Sequence, residues 1–275
     1  MPSIEENLQT WDSYNWPTGG DEWSRAWGGS PYLWYREIYP RIMSFLPCGT
    51  ILEIAPGFGR WTKYLAKLAK QVWAIDLAPT CVQGLTERFR DAPHVVCEQN
   101  DGQSLPMIPD QSVDFAFSFD SLVHADGDAI TGYLKEFVRV LRPGAFCFLH
   151  HSNMAEFAHN SGSRLSIANP HGRSSVVSAA LVREWCQDHG LAVVCQEKIN
   201  WGHQALTDVF SLIQNDSSQS AVETRVIENP EFMRQASDSA RIAAEYRPRI
   251  HGSAVSELSS GTSTIISPPS PLPTA

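Results

Sequence analysis

The sequence predicts an α/β protein: a seven-stranded, mostly parallel sheet with helices on both faces, closed by a terminal antiparallel β-hairpin. Three observations predict it. Short apolar strands alternate with amphipathic helices between about residues 50 and 150. A turn carrying Gly57 and Gly59 follows the first of those strands. Two strand-like segments, about 191 to 199 and 206 to 213, are separated by a short link containing Asn200, Trp201, Gly202 and His203, which suits a hairpin.

Residues 51 to 55 (ILEIA) read as a buried strand, and Trp61, Tyr64, Leu65 and Leu68 share one face of the helix after it. Strand 71–76 ends in Asp76, and a helix over about 79–90 presents Val82, Leu85 and Phe89. Strand 94–99 is closed by Asn100, Asp101 and Gly102. Strand 113–119 precedes a helix striped by Ile130, Tyr133, Leu134, Phe137, Val138 and Leu141; an R-P-G turn at 142–144 then leads into strand 145–150. This alternation implies a parallel sheet covered on both faces. Residues 151–178 are polar and rich in small side chains, and a segment of that length suits a substrate loop better than a connector. Ser178 is the expected N-cap of a helix that stops at Gly190, and 226–246 is expected to be one more helix. Four parts result: an aromatic-rich lid segment over 1–44, a main domain over 45–214, a helical extension over 215–251, and a tail over 252–275 with a disordered composition.

Composition narrows the function. A formal net charge of −9 over 275 residues argues against nucleic acid, whose binders concentrate lysine and arginine. The six cysteines form no C-x-x-C pair, which fits a reducing compartment and no zinc site. The first residues lack a basic start followed by an apolar stretch, and no run reaches the roughly 18 apolar residues of a membrane span. A soluble, cytoplasmic protein without a membrane partner is expected, and a homo-oligomer is compatible with the sequence.

Gly57 and Gly59 let backbone amides approach a ligand at the start of a helix. A dinucleotide fingerprint would place a third glycine at position 62, where this chain has Thr62, so a nicotinamide cofactor is disfavoured. Glu53, four residues before the first glycine, is a carboxylate inside an apolar strand; it suits an ammonium-bearing ligand or orients the amides of the turn. The segment Glu53-Ile-Ala-Pro-Gly57-Phe-Gly59 resembles the first motif, E-x-x-x-G-x-G, of the class I S-adenosylmethionine (SAM)-dependent methyltransferases, which have a Rossmann-like fold. The resemblance covers about residues 45–213. It implies that Glu53, Ala55, Gly57 and Gly59 surround the methionine part of SAM. It also implies that Asp76, followed by Leu77, binds the ribose hydroxyls, and that Asp101 and Gly102 lie beside adenine. Ser118, Phe119 and Asp120 would flank the methyl group and the substrate.

Ligands of open parallel sheets bind beyond the carboxyl ends of the strands. His124, His150 and His151 fall there, and a histidine can remove a proton from a hydroxyl or ammonium acceptor. His124 is the first candidate, His151 the second; His150, adjacent to His151 in an extended segment, should face the other way. His159 and His171 lie in the long loop, but ligand spacing and acidic partners for a metal are missing, so none is expected. Tyr14, Trp16, Trp23 and Trp27 are candidate lid residues for an acceptor, whereas Trp34, Tyr35, Ile38 and Ile42 fit a helix packed on the sheet. The aromatic entry, with 118-SFDSLVHA-125 and 150-HHSN-153, resembles methyltransferases acting on sugars, amino sugars and other small polar acceptors, including natural-product sugars. That resemblance implies direct transfer of the methyl group to an oxygen or nitrogen of a small, carbohydrate-like acceptor. The alternatives are a non-catalytic SAM-binding interaction module, a nicotinamide-dependent oxidoreductase and an aminopropyl transferase.

Overall fold

The computed structural model describes residues 3–158, 165–202, 204–216 and 223–246. The expected tail over 252–275 therefore lies outside the described residues, as does His159. Among the described residues eight strands form one sheet: β1 (Cys48–Ile54), β2 (Ala69–Asp76), β3 (Val95–Gln99), β4 (Val113–Ser118), β5 (Leu141–Ser152), β6 (Ala192–Ile199), β7 (Asp208–Gln214) and β8 (Arg225–Asn229), in the order β3-β2-β1-β4-β5-β7-β6-β8. The first five are parallel, and β7 runs antiparallel to both β5 and β6, so the expected hairpin is present.

The expectation of seven strands is corrected to eight. β8 pairs in parallel with β6, from Cys195 opposite Arg225 to Ile199 opposite Asn229. The expected helix over 226–246 is thus a strand followed by the helix Phe232–Glu245. Val226 and Ile227 are adjacent β-branched residues that favour extended backbone, and Pro230 separates them from the helix. The R-P-G segment is likewise no free turn. It lies inside β5, where the pairing with β4 shifts register between Val113 and Phe115 and Gly144 takes a left-handed φ of 80°.

Alternation along the strands fills two cores. Leu52, Ile54 and Ala116 face the helices Gly127–Val140 and Ala179–Asp188 through Ile130, Leu134, Phe137, Val182 and Cys186. Ile51, Phe115 and Phe117 face the opposite layer, built from Leu33, Trp34, Ile38 and Ile42 of a helical run over residues 30–45, with Leu65, Leu85 and Phe232. Burying each such large apolar side chain contributes about 1.5–3 kcal/mol, which anchors the sheet whose carboxyl ends carry the site. Ser178 caps the helix Ala179–Asp188 by accepting from the Leu181 amide, as its position predicts. The helix after β1 spans only Thr62–Leu65, and Leu68 lies beyond its end.

Candidate active site

The end of β1 bends sharply. Ala55, Gly57 and Gly59 all have left-handed φ values, 54°, 59° and 82°, and Ala55 holds its strained conformation without being glycine. The Gly57 amide donates to Asp76 Oδ2 at 2.9 Å and the Ala78 amide to Asp76 Oδ1 at 2.9 Å, so the acid at the end of β2 braces the turn. Burial pushes Asp76 up to about 6, against the pull of those amides. Glu53 is buried beneath the turn. Its Oε2 accepts from the Thr62 hydroxyl at 2.5 Å, which explains why threonine stands at position 62. Its Oε1 has no hydrogen-bond partner among the described residues, and burial raises Glu53 to about 8.

Orphaned polar atoms mark the crevice. Glu53 Oε1, Ser118 Oγ, Trp16 Nε1 and Asn100 Oδ1 are buried and unpartnered among the described residues, at or over the carboxyl ends of β1, β4 and β3. Such groups destabilise the fold unless a ligand or water satisfies them. Their mixture of donors and acceptors fits a ligand carrying an ammonium, hydroxyls and a heterocycle.

Asp101, expected beside adenine, follows the end of β3 and is held by its own turn. Its carboxylate accepts from the Gln103 amide, the Ser104 amide and the Ser104 hydroxyl at 2.7–3.0 Å, so its own turn orients both oxygens while the residue stays exposed. The preceding Asn100, whose Nδ2 donates to the Ser104 carbonyl and the Tyr133 hydroxyl, supplies the free acceptor at that strand end. Gly102 is packed so closely that an added Cβ would lie 3.0 Å from Ile4 Cγ2 and 3.3 Å from Leu77 Cδ1. Ile4 belongs to the amino-terminal helix Ile4–Ser13, which crosses the crevice: Asn7 donates to the His124 carbonyl and Asp12 accepts from the Thr80 amide.

The histidines divide by their hydrogen bonds. His150 is fully buried, with Nδ1 accepting from the Asp120 amide at 3.0 Å and Nε2 donating to Asp208 Oδ2 at 3.0 Å. His151 is also fully buried, with Nδ1 donating to the Ser152 carbonyl and Nε2 accepting from the Ser211 hydroxyl, and burial lowers it to about 4. Both ring nitrogens of both residues are committed, which corrects their candidacy as proton acceptors: they tie β4, β5 and β7 together. His124 is partly exposed, its Nδ1 donates to the Gly172 carbonyl at 3.0 Å, and its Nε2 has no partner among the described residues. Burial, then the Arg173 charge, lowers His124 to about 4, so it is neutral at physiological pH.

Asp120 sits in a left-handed conformation, φ 60°, between Arg60 at 2.9 Å and Arg173 at 3.5 Å. Arg173 also pairs with Asp208 at 3.0 Å. Burial alone would raise Asp120, but the two guanidiniums hold it below the ordinary carboxylate range. Arg60, Arg173 and Asp208 carried no signal in the sequence, because their partners come from segments far apart in the chain.

Of the lid candidates, Tyr14, Trp16 and Trp23 gather with Trp11 beside the turn and His124. Trp16 stacks on Phe58 at 5.0 Å, and an added Cβ at Gly57 would meet its ring at 2.8 Å. Trp27 is corrected to a core residue: it is buried against Trp201 at 5.0 Å and Phe232 at 5.3 Å. Phe119 packs its ring on His150, Trp61 and Phe210, leaving its backbone at the end of β4.

A family model for a methyltransferase domain matches residues 52–149, from within β1 to within β5. Residues 52–149 thus resemble a methyltransferase domain. The cofactor that the matches support is S-adenosylmethionine. The chain is 29% identical over 128 residues to a probable S-adenosylmethionine-dependent methyltransferase of Mycobacterium tuberculosis, covering 46% of this chain and 44% of that one. It is 29% identical over 141 residues to phosphoethanolamine N-methyltransferase 1 of Triticum aestivum, covering 49% of this chain and 27% of that protein. A S-adenosyl-L-methionine-dependent Diels-Alderase of Talaromyces variabilis is 34% identical over 116 residues, 40% of this chain and 39% of its own. The matched segments thus span less than half of these relatives. A SAM-dependent methyltransferase from Aquifex aeolicus shares the fold with a TM-score of 0.51 at 20% identity, over 70% of this chain and 94% of that one. The same holds for a DhpI–SAH complex, with a TM-score of 0.53 at 19% identity over 78% and 98%.

Proposed function

We propose that the protein transfers the methyl group of SAM to an oxygen or nitrogen of a small, polar, carbohydrate-like acceptor. Bound SAM supplies an electrophilic methyl and a thioether leaving group, so the chain's own work is binding, orientation and handling one proton. Glu53 Oε1 and Ser118 accept from the methionine end, Asp76 accepts from the ribose hydroxyls, and Asn100 accepts from the adenine edge. Trp16 covers the turn and excludes water. The observation that carries the reading is His124: its ring is fixed through Nδ1 while Nε2 stays free, at the end of β4 and beside the aromatic segment. A neutral imidazole held this way takes the proton of the acceptor as its heteroatom gains the methyl group.

The test is transfer of labelled methyl from SAM to panels of sugars, amino sugars and phenols, with mass spectrometry of the product. Product in the sugar or amino-sugar arm supports the reading, and label only in phenols overturns the acceptor class. The relative named a Diels-Alderase favours a second reading, a SAM-dependent protein that moves no methyl group. Tight SAM binding with no labelled product in any arm would select it.

A further inference from the structure

Trp11, Tyr14, Trp16 and Trp23 are partly exposed and form one cluster, with the Tyr14 ring 6.0 Å from Trp11, 5.0 Å from Trp16 and 5.5 Å from Trp23. The cluster bridges the two halves of the site. Trp16 lies on Phe58 beside the Gly57 turn, and the Trp11 ring is 5.6 Å from His124.

Glu22 completes this cluster. Its Oε2 accepts from the Thr18 hydroxyl at 2.6 Å and the Gly20 amide at 3.0 Å, whereas Oε1 is buried without a hydrogen-bond partner among the described residues. The carboxylate adjoins Tyr14, whose hydroxyl is raised by burial first, then by the Glu22 charge and by hydrogen bonding to the Glu22 carboxylate. Of the cations nearby, Lys63 pairs with Asp21 at 2.7 Å and Arg60 with Asp120, and the exposed Arg25 lines the same cavity as Glu22. Glu22 also borders a cavity of about 350 Å³ that it lines with Thr18, Asp21, Arg25, Gly28 and Gly29. A carboxylate oxygen shielded from water and lacking a donor calls for a positive charge. Electron-rich ring faces beside it attract cations in preference to neutral groups of the same shape.

We infer that the acceptor carries a protonated or quaternary amine, held by Glu22 and the rings of Trp11, Tyr14 and Trp23. The inference rests on the proposed methyl transfer only in treating this ligand as the acceptor. The amine need not be the methylated atom; it fixes which end of the acceptor lies under the lid.

Binding tests it without requiring turnover. The full chain, loaded with S-adenosylhomocysteine, is titrated with tetramethylammonium chloride and with tert-butanol, a neutral probe of similar shape, following tryptophan fluorescence and heat. Tetramethylammonium should bind saturably and about tenfold more tightly than tert-butanol. Glu22→Gln and Trp23→Leu should each weaken it several-fold while S-adenosylhomocysteine affinity, which reports an intact fold, stays unchanged. Equal binding of the two probes, or wild-type binding of tetramethylammonium by the Glu22→Gln protein, overturns the inference. Glu22-dependent binding in a protein that methylates nothing would sustain it and overturn the proposed function alone.

Discussion

The Arg60 guanidinium donates to the Asp120 carboxylate at 2.9 Å, joining the turn after β1 to the end of β4. Through Asp120 the link continues to Arg173, and through the Asp120 amide to His150 and Asp208. Two buried arginines, the buried Asp208 and the partly buried Asp120, from four separate segments, thus balance one another beside the site.

Asp120→Asn should destabilise the protein by about 3 kcal/mol or more, because it leaves Arg60 and Arg173 buried with half their compensation. Urea unfolding followed by circular dichroism measures this. A loss within the range of a surface substitution would show that the pairs contribute little.

Glu53, raised to about 8, is mostly protonated at pH 7. A carboxyl whose folded pKa lies above its unfolded value binds more protons when folded, so its stabilising contribution is fully present below about pH 4.5 and is lost as pH rises through about 8. Glu53→Gln should flatten that decline. If the ammonium of SAM lies at Oε1, binding at pH 7 should expel the proton. Calorimetry of SAM binding in two buffers of different ionisation enthalpy would read about one proton released by the wild type and close to none by the variant. Equal release by both proteins would remove Glu53 from the ammonium site.

Asp76, raised to about 6, accepts best when ionised. In the Glu53→Gln protein SAM affinity should therefore strengthen as pH rises through about 6 and level off above it, whereas in the wild type release of the Glu53 proton extends the rise to about 8. Asp76→Ala should weaken SAM by about tenfold or more at pH 7.5, the usual effect of losing hydrogen bonds to a charged group. A titration in which the variant matches the wild type across this range would displace Asp76 from the ribose.

The strand–helix alternation, the glycine turn, the hairpin and the Ser178 cap were all legible because each is local: a period of two or 3.6 residues, or one residue type at one offset. What escaped depends on distance in the chain. Asp101 and Asn100 are neighbours at one strand end, and only the folded turn shows that the former is oriented by Gln103 and Ser104 while the latter keeps a buried, unpartnered oxygen. His150 and His151 look as reactive in sequence as His124. Their inertness comes from Asp208 and Ser211, some sixty residues on, brought alongside by the antiparallel pairing of β5 and β7. Residues 226–229 read as the start of a helix, yet the free edge of β6 recruits them into a strand.

His124→Asn isolates the chemical role of the free nitrogen, since the amide can still donate to the Gly172 carbonyl while Nε2 is lost. Turnover at saturating SAM should fall by about 100-fold or more, the usual contribution of a general base, with SAM affinity nearly unchanged. Burial and Arg173 hold the imidazole at about 4, so it stays in its accepting form at all pH values above about 5. The His124-dependent rate should therefore be flat from pH 5 upward and decline only as pH falls through about 4. A base this weak is adequate for a hydroxyl acceptor, because an oxygen gaining a methyl group becomes a strong acid and sheds its proton readily. It is poorly matched to removing a proton from a free alkylammonium before attack. Kinetics with matched hydroxyl and amine acceptors separates the cases: an O-methylated product should show the full His124→Asn loss, whereas transfer to an already neutral amine should depend on His124 much less. Wild-type turnover by the variant with both acceptors would leave His124 as a clamp on the Gly172 loop.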